Sequence, residues 1–444
     1  MKIGRTGLDS RRSARTVVLM GALMLSAGLV AAGPVSATPT LPAASGNAVA
    51  PSATAPFAPV AGLPGENNAV TDVPGVQIGQ VQATTAPYLT GTSVVYFPAM
   101  SVAGVDQAGG APATKETDLL SPLNSNPGVN AIQLGGSSMY GLDATSGIIR
   151  WLEDRGEGVN LGSTGVAPIV PAADIYDLGR GGDIKARTTA EWGYLAAEAA
   201  KAGPVRQGVV GGGTGARSGG MKGGVGTASV YLGDGIYVGA VVVVNSAGSP
   251  MNTTNCTLWG AQFGIGDEFD GLTAPLTREC HPSGSVAGSP GSTTSDDLNT
   301  TIAVVVTNLP LEKAAAERLA ANAHDGMARA INPIHTLADG DTVFGVSTGS
   351  GAPLRINDPT AGGKLNQVFN AGATTLSRAI TKAILSASTV GTATSYCDRY
   401  PSACRDMTQL AGWRAAGDAP VVTPKTFKEA TKKLQIIPVP KPAK

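Results

Sequence analysis

Val225 to Asn245 reads VGTASVYLGDGIYVGAVVVVN, and the folding of this stretch decides the class of the molecule. Val225–Leu232 and Ile236–Val244 are β-branched runs separated by Gly233-Asp234-Gly235, which is the signature of a hairpin. The second run ends in Val241–Val244, four apolar residues without alternation. A half-exposed strand would alternate, so this one is expected at the centre of a sheet, covered on both faces.

Similar signals lie on either side. Thr301–Thr307 and Thr342–Ser347 read as buried strands, and Thr92–Phe97 as a short strand followed by a Gly-rich segment, Gly104 to Pro112. Between the strands, apolar residues recur at helical spacing over Gly141–Arg155, Thr188–Ala202, Leu311–Ile331 and Leu365–Ser386. No internal repeat of roughly 20–50 residues is visible. The alternation predicts a mixed α/β layered fold.

Composition sets the outer limits. The 444 residues carry 32 Lys+Arg against 32 Asp+Glu, and this zero balance argues against nucleic acid as a partner. Sixty Gly and thirty Pro imply many turns and close backbone contacts, yet without the Gly-X-Y period of collagen. The Gly-rich stretch Gly211–Gly224 has no phosphate-loop pattern and only a fragment of a dinucleotide fingerprint, so no cofactor is expected.

The ends read as something other than fold. In residues 1–37, Lys2, Arg5, Arg11, Arg12 and Arg15 precede the uncharged apolar run Val17–Ala32, and Val35-Ser36-Ala37 supplies small residues for cleavage. This is the pattern of a secretory signal, too short for a bilayer span. Arg11-Arg12 hints at the twin-arginine route, but the residues around the pair match it poorly. Residues 38–66, rich in Pro, Ala and Ser, read as a flexible leader. Residues 423–444, with six lysines and several prolines, read as a solvated tail. A secreted product without a membrane anchor is the expectation. Its four cysteines suit that compartment, and local pairing, Cys256 with Cys280 and Cys397 with Cys404, is preferred among the three connectivities. Without a C-x-x-C pair and with only three histidines, a zinc site is poorly supplied.

The chemistry is expected where a loop meets a strand. Pro282–Leu298 is dense in Ser, Gly, Thr and Asp, and Asn299-Thr300-Thr301-Ile302 follows it directly. A cut between Asn299 and Thr300 would make Thr300 the first residue of a buried strand. Its hydroxyl would then lie beside its own α-amine, whose pKa is ordinarily about 7.7–8.0. Such an amine is partly neutral near neutral pH and can act as general base. One residue would supply nucleophile and base, and no histidine would be needed. Asn299-Thr300-Thr301 also satisfies a glycosylation pattern, as do Asn252 and Asn255, and a loop entering a strand can be no more than that.

Several separate words, in order, resemble one family: the L-aminopeptidase/D-esterases, β-peptidyl aminopeptidases and nylon-oligomer hydrolases. They are Asn68-Ala69-Val70-Thr71-Asp72-Val73-Pro74-Gly75-Val76, Ala103-Gly104-Val105-Asp106, Gly109-Gly110-Ala111-Pro112, Glu116-Thr117-Asp118-Leu119-Leu120, Gly135-Gly136-Ser137-Ser138, Met221 to Ser229, Ala323-His324-Asp325-Gly326, and His335-Thr336 with Asp339 to Phe344. The resemblance implies a self-cleaving hydrolase with an N-terminal nucleophile, built as an αββα four-layer sandwich similar to that of ornithine acetyltransferase. It also implies division into an α chain, residues 67–299, and a β chain, residues 300–422, and carries the expectation of a homo-oligomer.

By position, the cut matches Asn299–Thr300, and Thr300 is the nucleophile. Asn245 matches the family's site asparagine, whose amide can donate to a developing oxyanion; otherwise it is a strand-end turn residue. Lys222 matches the site lysine, able to shift nearby pKa values or fix a carboxylate; otherwise it is a solvent-facing loop lysine. Asp339 and Asp341 match carboxylates that orient the nucleophile and its amine, provided Gly340 lets the backbone bend. Tyr176 matches a tyrosine that assists the oxyanion, with an aromatic-core role as the alternative. His324 and His335 are assigned to structure. Members closest to the aminopeptidases carry Ser at the nucleophile position, whereas Asn-Thr resembles the nylon-oligomer form. The implied substrate is a small peptide or oligoamide. A ligand-binding protein on the same fold and an acyltransferase are the alternatives.

Overall fold

A computed structural model describes residues 62–281 and 298–435. The expected signal peptide, most of the leader, the polar loop 282–297 and the last nine residues lie outside the described residues. The principal strands are β1 (Gln77–Ala83), β2 (Thr90–Gln107), β3 (Thr114–Lys115), β4 (Val129–Gly135), β5 (Ala172–Asp174), β6 (Gly224–Tyr231), β7 (Tyr237–Asn245), β8 (Thr300–Thr307) and β9 (Thr342–Ser347). The helices used below are α1 (Ala144–Glu153), α2 (Ala190–Glu198), α3 (Lys313–Ala330), α4 (Gly362–Ser386) and α5 (Pro424–Gln435).

The hydrogen-bonded path runs β6-β7-β8-β9-β2-β4-β5-β3, with β1 on β2. It is nominally one sheet, but β2 divides it. Residues 90–96 of β2 pair with β1 and β4, residues 102–107 pair with β9, and the register breaks between Tyr96 and Ser101. Pro98 lies in that break and cannot donate to a ladder. The strand therefore passes from one sheet to a second folded over it.

Burial shows the layers. Val95, Phe97, Ile132, Leu134 and Ile175 of the β1-β2-β4-β5 half share a core with Val241, Val243, Ile302, Val304 and Phe344 of the β6–β9 half. Val242, Val244 and Val305 point the other way, into a core with Leu319 and Met327 of α3 and Leu376 and Ile380 of α4. Val81, Val94 and Ala131 meet Ile148, Trp151 and Leu152 of α1 and Trp192 of α2. Helices, sheet, sheet, helices is an αββα sandwich. The valine run is buried throughout because it serves two cores at once.

Three expectations are corrected. The strand expected over Thr92–Phe97 continues to Gln107, through glycines that read as loop. A Cβ on Gly104 would lie 2.3 Å from the Glu317 nitrogen, so this glycine lets α3 lie against the sheet. The lysine-rich tail is helical over α5, which docks on α2: Thr431 Oγ1 donates to Glu191, Lys433 pairs with Glu198, and Ala430 is buried. Finally, Gly65 and Asn68, at the end of the expected leader and just beyond it, are bonded to β6, Gly65 N–H donating to Ser229 Oγ and Asn68 Oδ1 accepting from Ser229 N–H. Both disulfides pair as expected, Cys256–Cys280 and Cys397–Cys404. No helix among the described residues is long and apolar enough to cross a membrane.

Candidate active site

The antiparallel register of β7 and β8 sets Asn245 opposite Thr300. One is the last residue of its strand and the other the first, so two polar side chains emerge together at the end of an apolar sheet. Both are buried. Asn299 is held in place: its N–H donates to the Ala338 carbonyl at 3.1 Å, and its own carbonyl accepts from Gly340 N–H at 3.1 Å. The Thr300 hydroxyl donates to that same carbonyl.

Asp339 and Asp341 are both fully buried, and their bonds go to the segments around Thr300. Asp341 Oδ1 accepts from Thr301 N–H at 2.7 Å, and its Oδ2 accepts from the main chain and ring nitrogens of His335 at 3.0 and 2.9 Å. Asp339 Oδ1 accepts from Ala247 N–H at 3.1 Å, and its Oδ2 accepts from Thr336 Oγ1 at 2.6 Å. Burial, helped by the neighbouring Asp341, raises the Asp339 pKa.

Gly340 also meets a demand for space. A Cβ there would lie 2.5 Å from the Ala111 carbonyl and 2.9 Å from Thr300 Oγ1, so the missing side chain makes room for the hydroxyl.

Lys222 is buried, not solvent-facing, and pairs with no carboxylate among the described residues. Its Nζ donates to the carbonyls of Gly213, Ala216 and Gly223 at 3.0, 2.8 and 2.8 Å. Three acceptors match the three protons of an ammonium. Burial, then the charges of Arg180 and Arg217, pull its pKa well below the usual lysine value. Tyr176 meets the site through its main chain: its carbonyl, not its hydroxyl, accepts from Asn245 Nδ2, at 3.4 Å.

Sequence reasoning missed three residues. Arg180 Nη1 donates to Asn245 Oδ1 at 2.6 Å. Asp177 is buried nearby, accepting from Ser137 N–H at 2.6 Å; burial pushes its carboxyl up to about 6, against the pull of that amide and of Arg180. His335, assigned to structure, holds Asp341 directly, with its backbone at φ +58°. The available signals were adjacency to Tyr176 for Asp177 and the shared word with Asp339 for His335; Arg180, flanked by glycines, offered none.

The fold thus brings a hydroxyl at the buried start of one strand together with the amide at the end of another and two buried carboxylates. Comparison with solved structures gives the same fold. A β-aminopeptidase of a Burkholderia species aligns with TM-score 0.56 at 22% identity, covering 78% of this chain and 96% of that one. The L-aminopeptidase D-Ala-esterase/amidase of Ochrobactrum anthropi, described as a variant of the Ntn hydrolase fold, aligns with TM-score 0.55 at 22% identity over 84% and 96%.

The chain belongs to peptidase family S58, whose model matches residues 68–396. An uncharacterised aminopeptidase of Mycobacterium leprae is 42% identical over 76% of this chain and 95% of its own length. A 6-aminohexanoate-oligomer endohydrolase of an Agromyces species is 33% identical over 69% and 80%. The protein is therefore a peptidase of the Ntn hydrolase fold.

Proposed function

We propose that the protein is an exported hydrolase of peptide or peptide-like amides that cleaves itself between Asn299 and Thr300 and then uses Thr300 as nucleophile. The observation that carries this reading is the contact of the Thr300 hydroxyl with the carbonyl of the preceding residue, on a peptide fixed from both sides by the Ala338–Gly340 segment.

In the first step Oγ1 attacks the Asn299 carbonyl carbon. The hydroxyl proton passes to the departing Thr300 nitrogen, the C–N bond breaks, and an ester joins Asn299 to Oγ1. Gly340 N–H, already on the carbonyl oxygen, receives the charge that develops there. Water opens the ester, leaving a carboxylate on Asn299 and a free amine on Thr300. In turnover that amine takes the hydroxyl proton while Oγ1 attacks the substrate carbonyl. The leaving amine departs protonated, and water releases the acyl group.

Asn245 Nδ2 supplies an oxyanion donor. Asp341 holds Thr301 N–H, and Asp339 holds Ala247 N–H, two residues past Asn245, fixing both strand ends. Lys222 ties the Gly213–Ala216 turn beside the asparagine. Asp341 thus acts on the main chain next to the nucleophile, and Asp339 on the main chain just past the oxyanion donor.

Substrate class follows the relatives: names of aminopeptidases and of an oligoamide endohydrolase both appear among them. The Asn-Thr cleavage word favours the second type. Export rests on residues 1–37, with a mature start near Thr38.

The test is substitution at Thr300. Thr300→Ala is expected to stay uncut and to hydrolyse no amino acid p-nitroanilide or 6-aminohexanoate oligomer, whereas Thr300→Ser retains part of both activities, slowed because its hydroxyl lacks the γ-methyl restriction. Hydrolysis by uncut Thr300→Ala at the wild-type rate would remove Thr300 from the mechanism.

A further inference from the structure

An asparagine can serve an oxyanion only through its nitrogen, since its amide oxygen would repel the charge. Nothing in Asn245 itself decides which end faces which way; the surroundings do. Its Oδ1 accepts from Arg180 Nη1 at 2.6 Å and from Arg217 N–H at 2.9 Å. Both partners are donors without acceptor capacity at those atoms, so an inverted amide would set N–H against N–H.

The arginine is also anchored. Its Nη1 donates to the Gly215 carbonyl at 2.8 Å, in the turn whose Gly213 and Ala216 carbonyls hold Lys222 and whose end presents the Arg217 amide. Arg180 therefore joins three segments: its own, just after Tyr176; the 213–217 turn; and the end of β7. The carboxylate of Asp177, the Lys222 side chain and the Arg217 guanidinium are charged groups acting within this cluster.

From this geometry we infer that Arg180 is the positioning residue of the oxyanion donor: it locks the Asn245 amide with Oδ1 on the guanidinium and Nδ2 on the other side, where it also meets the Tyr176 carbonyl at 3.4 Å, and its charge on Oδ1 polarises the amide so that Nδ2–H donates more strongly. The inference rests on the reading of Asn245 as an oxyanion donor and adds what makes that donor competent. Arg180 does not touch substrate in this scheme; it works through Asn245.

The test is a double-mutant cycle on the processed two-chain enzyme made from the whole precursor, with an amino acid p-nitroanilide as probe: wild type, Arg180→Ala, Asn245→Ala and the double variant, with Arg180→Lys as the conservative change. Loss of a competent oxyanion donor costs about 10²-fold or more in kcat. Arg180→Ala is expected to lose about that much in kcat with KM within a few-fold of wild type, and the double variant to be no slower than Asn245→Ala alone, since both changes remove one interaction. Added guanidinium ion is expected to restore part of the Arg180→Ala rate, and Arg180→Lys, which keeps the charge without the fork, to fall between.

Losses that multiply in the double variant, or an Arg180→Ala enzyme at the wild-type kcat, would overturn the inference. Where Arg180→Ala does not fold, Arg180→Lys decides: a lowered kcat at unchanged KM supports the inference and a wild-type kcat overturns it. A wild type inert to this probe and to 6-aminohexanoate oligomers would overturn the hydrolase reading and this inference with it; an active wild type with Arg180→Ala unchanged overturns the inference alone.

Discussion

Gly340 and Asp177 show how single residues shape the site. Gly340 has no room for a Cβ between the Ala111 carbonyl and Thr300 Oγ1, and its N–H is bonded to the carbonyl to be attacked. Gly340→Ala should displace hydroxyl, amide or both, so intact mass should find precursor persisting where the wild type is fully cut. Prompt cutting of the variant would show that the close contact has no bearing on the reaction. Asp177 makes a pH prediction. Burial raises its carboxyl from 3.8 to about 6, so between those values the folded state binds more protons than the unfolded state, and stability falls as pH rises through that window. The effect is on the order of 2–3 kcal/mol at most. In a Thr300→Ala background, expected to keep the chain whole, thermal unfolding of Asp177→Asn should lack this decline between pH 4 and 6 and run parallel to its parent above pH 7. Parallel profiles throughout would mean that Asp177 is not a raised carboxyl.

At the scale of elements, the strands that bear the chemistry were legible in sequence and their surroundings were not. Thr342–Ser347 and the β6–β7 hairpin follow from β-branched runs with turn residues between them, because a run that long and apolar has nowhere to go but a covered sheet. The passage of β2 from one sheet to the other was hidden, since the strand was read as ending at Phe97, ahead of the Gly-rich segment Gly104 to Pro112. Helix α5 was hidden by its lysines, although Phe427, Ala430 and Leu434 fall on one helical face. In the site, Thr300, Asn245, Lys222, Asp339 and Asp341 stood in recognisable words. Arg180 did not: it is flanked by glycines and meets a partner 65 residues away, so its neighbourhood reads as a turn. A second long-range contact joins elements on either side of the proposed cut. Arg378 on α4 donates to both carboxylate oxygens of Glu268 at 2.6 and 3.1 Å and to Asn68 Oδ1 at 2.8 Å, and Lys382 Nζ donates to the Asn68 carbonyl at 2.9 Å. Burial would raise the Glu268 pKa, but the charges of Arg378 and Lys382 outweigh it and hold it below the usual value. Arg378→Met leaves a buried carboxylate short of its partner, and chemical denaturation in the same uncut background should show a loss of about 3–5 kcal/mol. A loss below about 1 kcal/mol would contradict the assignment of this cluster as the clamp between the two parts.

At the scale of the whole molecule, the proposed cut severs the chain without separating it. Strand β8, which begins at Thr300, lies between β7 from before the cut and β9 from after it, and β9 in turn pairs with β2. The two products share one sheet. Both disulfides close within a product, Cys256–Cys280 before the cut and Cys397–Cys404 after it. Native mass should therefore find the chains together, and denaturing electrophoresis without reductant should separate them. A single band that divides only on reduction would mean that the cysteines pair differently.

If Thr300 becomes an N-terminal nucleophile, it can be trapped as an acyl ester. Cleavage after Ala37 and after Asn299 would give chains of 262 residues (299 − 37) and 145 residues (444 − 299). Exposing the processed protein to an activated amino acid ester, quenching in acid and measuring intact masses should place one acyl group on the 145-residue chain, with fragmentation locating it at Thr300. An acyl group on the longer chain, or on the shorter chain at any other residue, would contradict the account.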